Sequence, residues 1–115
     1  MFVVVSRYAA PISELDEAMA AHRDFLRTCY SRGVFILSGP REPRNGGIIL
    51  ARAGSEAGLR RILDQDPFRR GGLIEYDLFG WSPTFRASGL PPDLFAGTEA
   101  LAADPGLVDV DGEGA

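Results

Sequence analysis

A single histidine and an aspartate-proline turn are the groups in this chain best suited to acid–base chemistry. His22 is the only imidazole in the sequence. Imidazoles titrate near ~6.5, so such a group both takes and returns a proton near neutral pH. His22 lies three residues beyond Met19 and four before Leu26, on what reads as the apolar stripe of a helix. That position also suits a core histidine whose ring N–H meets a carbonyl. Asp66 opens the turn Asp66-Pro67-Phe68, where an aspartate ordinarily caps a short helical turn with proline at its first position. A carboxylate there could equally accept the imidazole N–H, fix its tautomer and raise its basicity, as a general base requires. Ser38, in Ser38-Gly39-Pro40, offers a hydroxyl and, beside Gly39, backbone N–H groups to hold a substrate oxygen that gains charge. A serine so placed also serves its own turn.

Other chemistries are excluded by composition. Cys29 is the single cysteine, so there is no disulfide framework and no cysteine-based zinc cluster, as in a protein of the reducing cytoplasm. Its place within the helical stripe makes it a small core hydrophobe, since nothing nearby in sequence would lower its pKa. One histidine cannot build a multi-histidine metal site. All 12 basic residues are arginine, and without lysine there is no Schiff-base nucleophile. Asn45-Gly46-Gly47 lacks the lysine and the strand-to-helix setting of a phosphate loop. The net charge of −4 divides into +2 for residues 1–86 and −6 for residues 87–115, so the body has no concentrated basic patch for nucleic acid. No segment approaches the roughly 20 consecutive apolar residues of a membrane span, and no signal-peptide pattern opens the chain. A soluble, cytoplasmic protein without metal or cofactor is expected.

The elements that must position these groups follow from periodicity. Phe2–Ser6 is a β-branched apolar run and reads as a buried strand. Ser13 before Glu14, Leu15 and Asp16 resembles a capping box. The helix it would open carries Leu15, Ala18, Met19, His22, Leu26, Cys29 and Tyr30 at three- and four-residue spacing and ends before Gly33. Val34–Leu37 is a second strand, stopped by the Ser38-Gly39-Pro40 turn. Asn45-Gly46 is a hairpin dipeptide leading into a third strand, Ile48–Ala51. Ser55 caps a second helix that runs through Leu63, with Leu59, Ile62 and Leu63 inward. Gly72–Trp81 alternates as a fourth strand, with Glu75 and Asp77 on its polar face.

This order, β-α-β-β-α-β, is the ferredoxin-like α+β pattern: a four-stranded antiparallel sheet with both helices on one face. The first helix and the end of the second then share the side of the sheet on which His22 and Asp66 can meet. The other face is bare. A 115-residue chain buries only about 65% of its unfolded surface, so a homodimer closed sheet to sheet is expected. Residues 88–115 form an acidic extension, read as one short helix over Asp93–Ala103 followed by a mobile tail.

His22-Arg23-Asp24-Phe25-Leu26, Leu37-Ser38-Gly39-Pro40, Pro43-Arg44-Asn45-Gly46-Gly47-Ile48-Ile49-Leu50-Ala51, and Asp66-Pro67-Phe68 followed by Gly72-Leu73 and Ser82-Pro83-Thr84 occur in an order and spacing that resemble the YciI-like (YCII-related) family. The resemblance covers residues 1–87. It implies a dimeric α+β barrel, with His22 and Asp66 as the active-site pair and Ser38 near the same pocket. The nearest chemistry assigned in such proteins is a chlorohydroxyhydroquinone dehydrochlorinase, and muconolactone isomerases share the barrel. Both move protons on small ring compounds without a redox cofactor. The expectation is therefore a cofactor-independent lyase or isomerase acting on a small cyclic, phenolic or carbonyl compound. Set against it are a non-catalytic small-ligand-binding or accessory dimeric module and, by fold analogy alone, a cofactor-free oxygenase.

Overall fold

The computed structural model describes residues 1–104. They fall into two compact units, Met1–Trp81 and the segment from Ser82 onward. In the first, the β-branched run extends over Phe2–Tyr8 as β1. The expected order follows: α1 (Ile12–Ser31), β2 (Phe35–Pro40), β3 (Gly47–Ala51), α2 (Glu56–Leu63), a one-turn α3 (Pro67–Arg70) and β4 (Ile74–Gly80). The sheet has the order β2-β3-β1-β4, and every neighbouring pair is antiparallel.

Register sorts the strand residues between two faces. Val4 lies opposite Ile49 on one side and Leu78 on the other, and Ser6 lies opposite Tyr76. Val4, Phe35 and Ala51 pack with Cys29, Leu59 and Leu63 of the helices, while Leu15, Phe68 and Ile74 form a second cluster nearer the start of α1. The opposite pleat presents Val3, Val5, Leu37, Ile48, Leu50 and Phe79, of which Leu37 is 65% and Phe79 56% exposed. At the end of this face Arg7 pairs with Glu75 and Asp77.

The helix ends differ in their chemistry. The capping box expected at Ser13 is not formed: the N-cap of α1 is Pro11, with no side-chain cap, and Ser13 lies inside the first turn. Proline leaves one fewer orphan donor, and the Pro11 carbonyl accepts from Glu14 N at 3.0 Å, closing the turn. At the other end Gly33 adopts φ +73°, with Gly33 N bonded to Tyr30 O and Val34 N to Cys29 O. This double closure needs a left-handed residue, and glycine supplies it without steric cost. Ser55 caps α2 as its sequence predicts, accepting from Gly58 N at 3.0 Å.

The β2–β3 hairpin forms as read, with the two strands antiparallel, while the reading of its first strand's end is corrected. Ser38-Gly39-Pro40 does not turn the chain; it continues β2, paired with Ile49, Ile48 and Gly47 after a bulge between Phe35 and Leu37. Asn45-Gly46 lies in the loop of this hairpin, and neither residue has positive φ. The loop from Arg41 to Gly46 is closed on itself by Arg41 N to Gly46 O at 3.0 Å and joined to β1 through Tyr8 N to Asn45 O at 2.8 Å. Glycine is required here by proximity: a Cβ on Gly46 would lie 1.9 Å from the Ser6 carbonyl oxygen.

In the second unit the helix expected over Asp93–Ala103 is absent. Residues 92–97 are turns and a bend, and Glu99–Leu101 is β6, paired in parallel with β5 (Phe85–Ala87). Gly97, at φ +82°, interrupts the 3.6-residue period that Leu94, Phe95 and Leu101 suggest. The residue 87 boundary read from the sequence is the last of β5, which groups with this unit. The mobile tail expected beyond Pro105 lies outside the described residues.

Because the clash at Gly46 is with backbone, Gly46→Ala is expected to destabilise the protein by about 2 kcal/mol or more. Gly54→Ala, where an added Cβ meets nothing within 4 Å, is expected to stay within about 0.5 kcal/mol of the parent. Urea unfolding of the two variants checks the contrast.

Candidate active site

Helix α1 carries His22 on its inner stripe, and α3 begins where Asp66 can cap it. The Asp66 carboxylate accepts from Phe68 N at 3.0 Å, with Pro67 at the first helical position. The same Oδ1 lies 2.8 Å from His22 Nδ1. A carboxylate only accepts hydrogen bonds, so the proton of this contact sits on Nδ1. Asp66 is thus both the structural cap and the imidazole's partner. It is 4% exposed, the one buried charged residue among those described. Such a group is stable only when its oxygens are paired. Nε2 makes no hydrogen bond among the described residues and is left as the ring's basic lone pair.

The imidazole plane is fixed as well as its tautomer. His22 stacks on Phe68 with ring centroids 3.8 Å apart and planes 4° from parallel. The Asp-Pro-Phe turn therefore supplies both the carboxylate and the flat surface that hold the ring. The sequence reading assigned no role to Phe68. The signal was present in its place two residues after the capping aspartate, where the first turn of α3 aims its side chain back toward α1.

His22 and Asp66 border a cavity of about 470 Å³ between α1 and the sheet, and Ser38 and Gly39 line it too. All the site residues expected from the sequence are thereby brought to one cavity. Ser38 arrives as a strand residue rather than a turn residue. Its hydroxyl is 2.6 Å from Tyr30 Oη, a partner that sequence spacing alone did not suggest. The rest of the wall is largely apolar, including Val4, Met19, Leu26 and Ile49. Near the loop between β2 and β3, Arg44 donates to Asp16 at 2.7 Å and lies 5.8 Å from the Tyr8 ring centroid. Asp16 first, and then the Tyr8 hydroxyl, stabilise its guanidinium charge.

Two further titratable groups are unsuited to act as base or nucleophile. Burial, reinforced by the Asp64 carboxylate, pushes the Tyr76 phenol above its ordinary value, and its hydroxyl donates to Asp64 at 3.2 Å. Burial likewise pushes the Cys29 thiol up, so the reactive thiolate is disfavoured. Among the described residues, no group of three or more His, Cys, Asp or Glu side chains could hold a metal ion, and no helix is long and apolar enough to cross a membrane.

A split β-α-β-β-α-β sheet holding a His–Asp pair beside a small, mostly apolar cavity defines a class of small α+β proteins. Residues 1–82 match the model of the YCII-related domain, and the chain belongs to that family. No curated protein matches the chain. Among solved structures it is similar to 5-chloro-2-hydroxyhydroquinone dehydrochlorinase (TftG) from Burkholderia phenoliruptrix AC1100, in complex with 2,5-dihydroxybenzoquinone. The TM-score is 0.61 at 19% identity, covering 72% of this chain and 95% of that one. A weaker likeness is to SnoaB, a cofactor-independent oxygenase from Streptomyces nogalater, with a TM-score of 0.37 at 21% identity over 72% of this chain and 92% of that one.

The double duty of Asp66 sets a stability expectation. Asp66→Ala removes the cap of α3 and strands the His22 N–H, and is expected to cost about 2 kcal/mol. Asp66→Asn keeps an acceptor oxygen and should cost less than half as much. Equal losses in chemical denaturation would contradict the shared role of this carboxylate.

Proposed function

We propose that the protein is a cofactor-independent lyase or isomerase that transfers a proton at a carbon next to a carbonyl or phenol in a small cyclic compound. The observation that carries this reading is the 2.8 Å bond from His22 Nδ1 to the buried Asp66 carboxylate at the wall of a 470 Å³ cavity. Cavities of roughly 300–1,000 Å³ suit small-molecule ligands. In the proposed step Nε2 of His22 removes the proton, and the C–H electron pair moves toward the carbonyl oxygen, which becomes an enolate. The imidazolium then either returns its proton to a different carbon, giving an isomer, or the enolate expels a leaving group, giving the elimination product. His22 is the catalytic residue. Asp66 is a positioning residue that holds the tautomer and stabilises the imidazolium as it forms. The Ser38 hydroxyl and the backbone beside Gly39 are assigned to the developing oxyanion, where fixed donors contribute most to rate.

The dehydrochlorinase activity of TftG and its complex with a dihydroxylated ring support this class of reaction. We further propose that the working form is a homodimer closed through the open sheet face, whose apolar side chains otherwise remain in water. Leu37, Ile48 and Phe79 are each at least 46% exposed on that face.

Two measurements test the proposal. Deuterium exchange from solvent into enolisable cyclic ketones and hydroxylated ring compounds, followed by NMR, should be accelerated by the protein. His22→Ala is expected to reduce that rate at least 100-fold with the fold retained, and Asp66→Asn to reduce it less. If His22→Ala unfolds the chain, or leaves exchange unchanged, the histidine is a core residue and the ligand-binding-module reading takes its place. For the dimer, sedimentation velocity should give two protomers at micromolar concentration and one for Phe79→Arg. A monomeric parent protein would exclude sheet-to-sheet closure.

A further inference from the structure

Charge bookkeeping around the cavity leaves one group over. Its charged lining residues are Asp16, Arg23, Arg44 and Asp66, together with the titratable His22. Asp66 is engaged by His22 Nδ1 and Phe68 N. Asp16 is engaged by Arg44, across the space between α1 and the β2–β3 loop. Arg23 alone has no ion pair, no hydrogen bond and no ring beneath its guanidinium among the described residues. It directly follows His22 on α1 and lines the same cavity. An arginine has five donors and is never deprotonated at ordinary pH. Arg23 is exposed to solvent, and beside a cavity whose other walls are largely apolar it is the one unpaired charge available to an occupant.

Resting on the proton-transfer reading above, we propose that Arg23 selects substrates that are anionic, namely small rings carrying a carboxylate or an ionised phenol. The anionic group is held at Arg23 while the reacting carbon lies at His22. The Asp16–Arg44 pair borders the same cavity as a neutralised wall. Its carboxylate is held away from the substrate's charge by its own arginine, so it does not repel an anion as a free aspartate would. Removing the Asp16 charge leaves Arg44 without its ion-pair partner beside the cavity and strengthens the preference.

Calorimetric titration with 2,5-dihydroxybenzoate and with hydroquinone tests this, because the two rings share their hydroxyls and differ by one carboxylate. The expected result is at least tenfold tighter binding of the benzoate, with the ratio shrinking as salt screens the contact. Arg23→Lys should keep most of the preference, Arg23→Gln should reduce it to about twofold or less, and Asp16→Asn should increase it. Equal binding of the two rings, binding of neither at millimolar concentration, or a preference that survives Arg23→Gln would overturn the proposal. Failure here is separable from failure of the proton-transfer reading. His22-dependent deuterium exchange with no anion preference removes the role of Arg23 alone. An Arg23-dependent preference without any His22-dependent exchange removes the catalytic reading and leaves the anion site standing.

Discussion

The Asp66 carboxylate is the point on which the site depends. A nearly buried charge is tolerated only where its oxygens are paired, and here one oxygen accepts from both the Phe68 backbone N–H and the His22 ring. The first bond starts α3 and so presents Phe68; the second joins α3 to α1. Phe68 then stacks on the imidazole that Asp66 has oriented. Tautomer, ring plane and helix position are therefore set by one side chain. A histidine held only by packing would keep both ring nitrogens available and its tautomer unset. This one has a single unengaged nitrogen in a fixed plane, which is what a proton-transfer group requires.

The sheet contributes by separating two faces of different use. Residues with the phase of Val4 and Ser6 face the helices and line core and cavity, while those with the phase of Val3 and Val5 form the open apolar face. A one-residue slip would exchange them. Two local devices hold the register at the cavity end. Ser6 Oγ accepts from Gly47 N at 2.9 Å, where the β1–β3 ladder runs out, and Gly46 lets the loop backbone approach the Ser6 carbonyl more closely than any side chain allows. These contacts bring the loop that carries Arg44 against β1 beside Tyr8.

Periodicity made most of this arrangement legible. The stripe Leu15, Met19, His22, Leu26 and Cys29 specified the inner face of α1, and alternation at Ile74, Tyr76 and Leu78 specified that of β4. The β-α-β-β-α-β order then placed the His22 and Asp66 elements on the same side of the sheet. The misreadings arise where turn- or cap-forming residue types were read singly while pairing with other strands or a neighbouring residue decided the structure. Ser38-Gly39-Pro40 has turn composition, yet the ladder to β3 extends it as strand. Asn45-Gly46 has hairpin composition and lies in the β2–β3 hairpin, with Asn45 O also bonded to Tyr8 N of β1. Ser13 has a cap's chemistry, yet Pro11 starts the helix two residues earlier. The Tyr30–Ser38 bond joins different elements, and no local spacing encodes it.

The central claim is that Asp66 holds His22 as the Nδ1–H tautomer, leaving Nε2 as the proton-transfer atom. Nitrogen-15 NMR of the labelled imidazole, at a pH where the ring is neutral, reads this directly. The account predicts a protonated Nδ1 and an unprotonated Nε2, with the tautomer preference weakened in Asp66→Asn. A proton on Nε2, or an even mixture of tautomers in the parent protein, would contradict it.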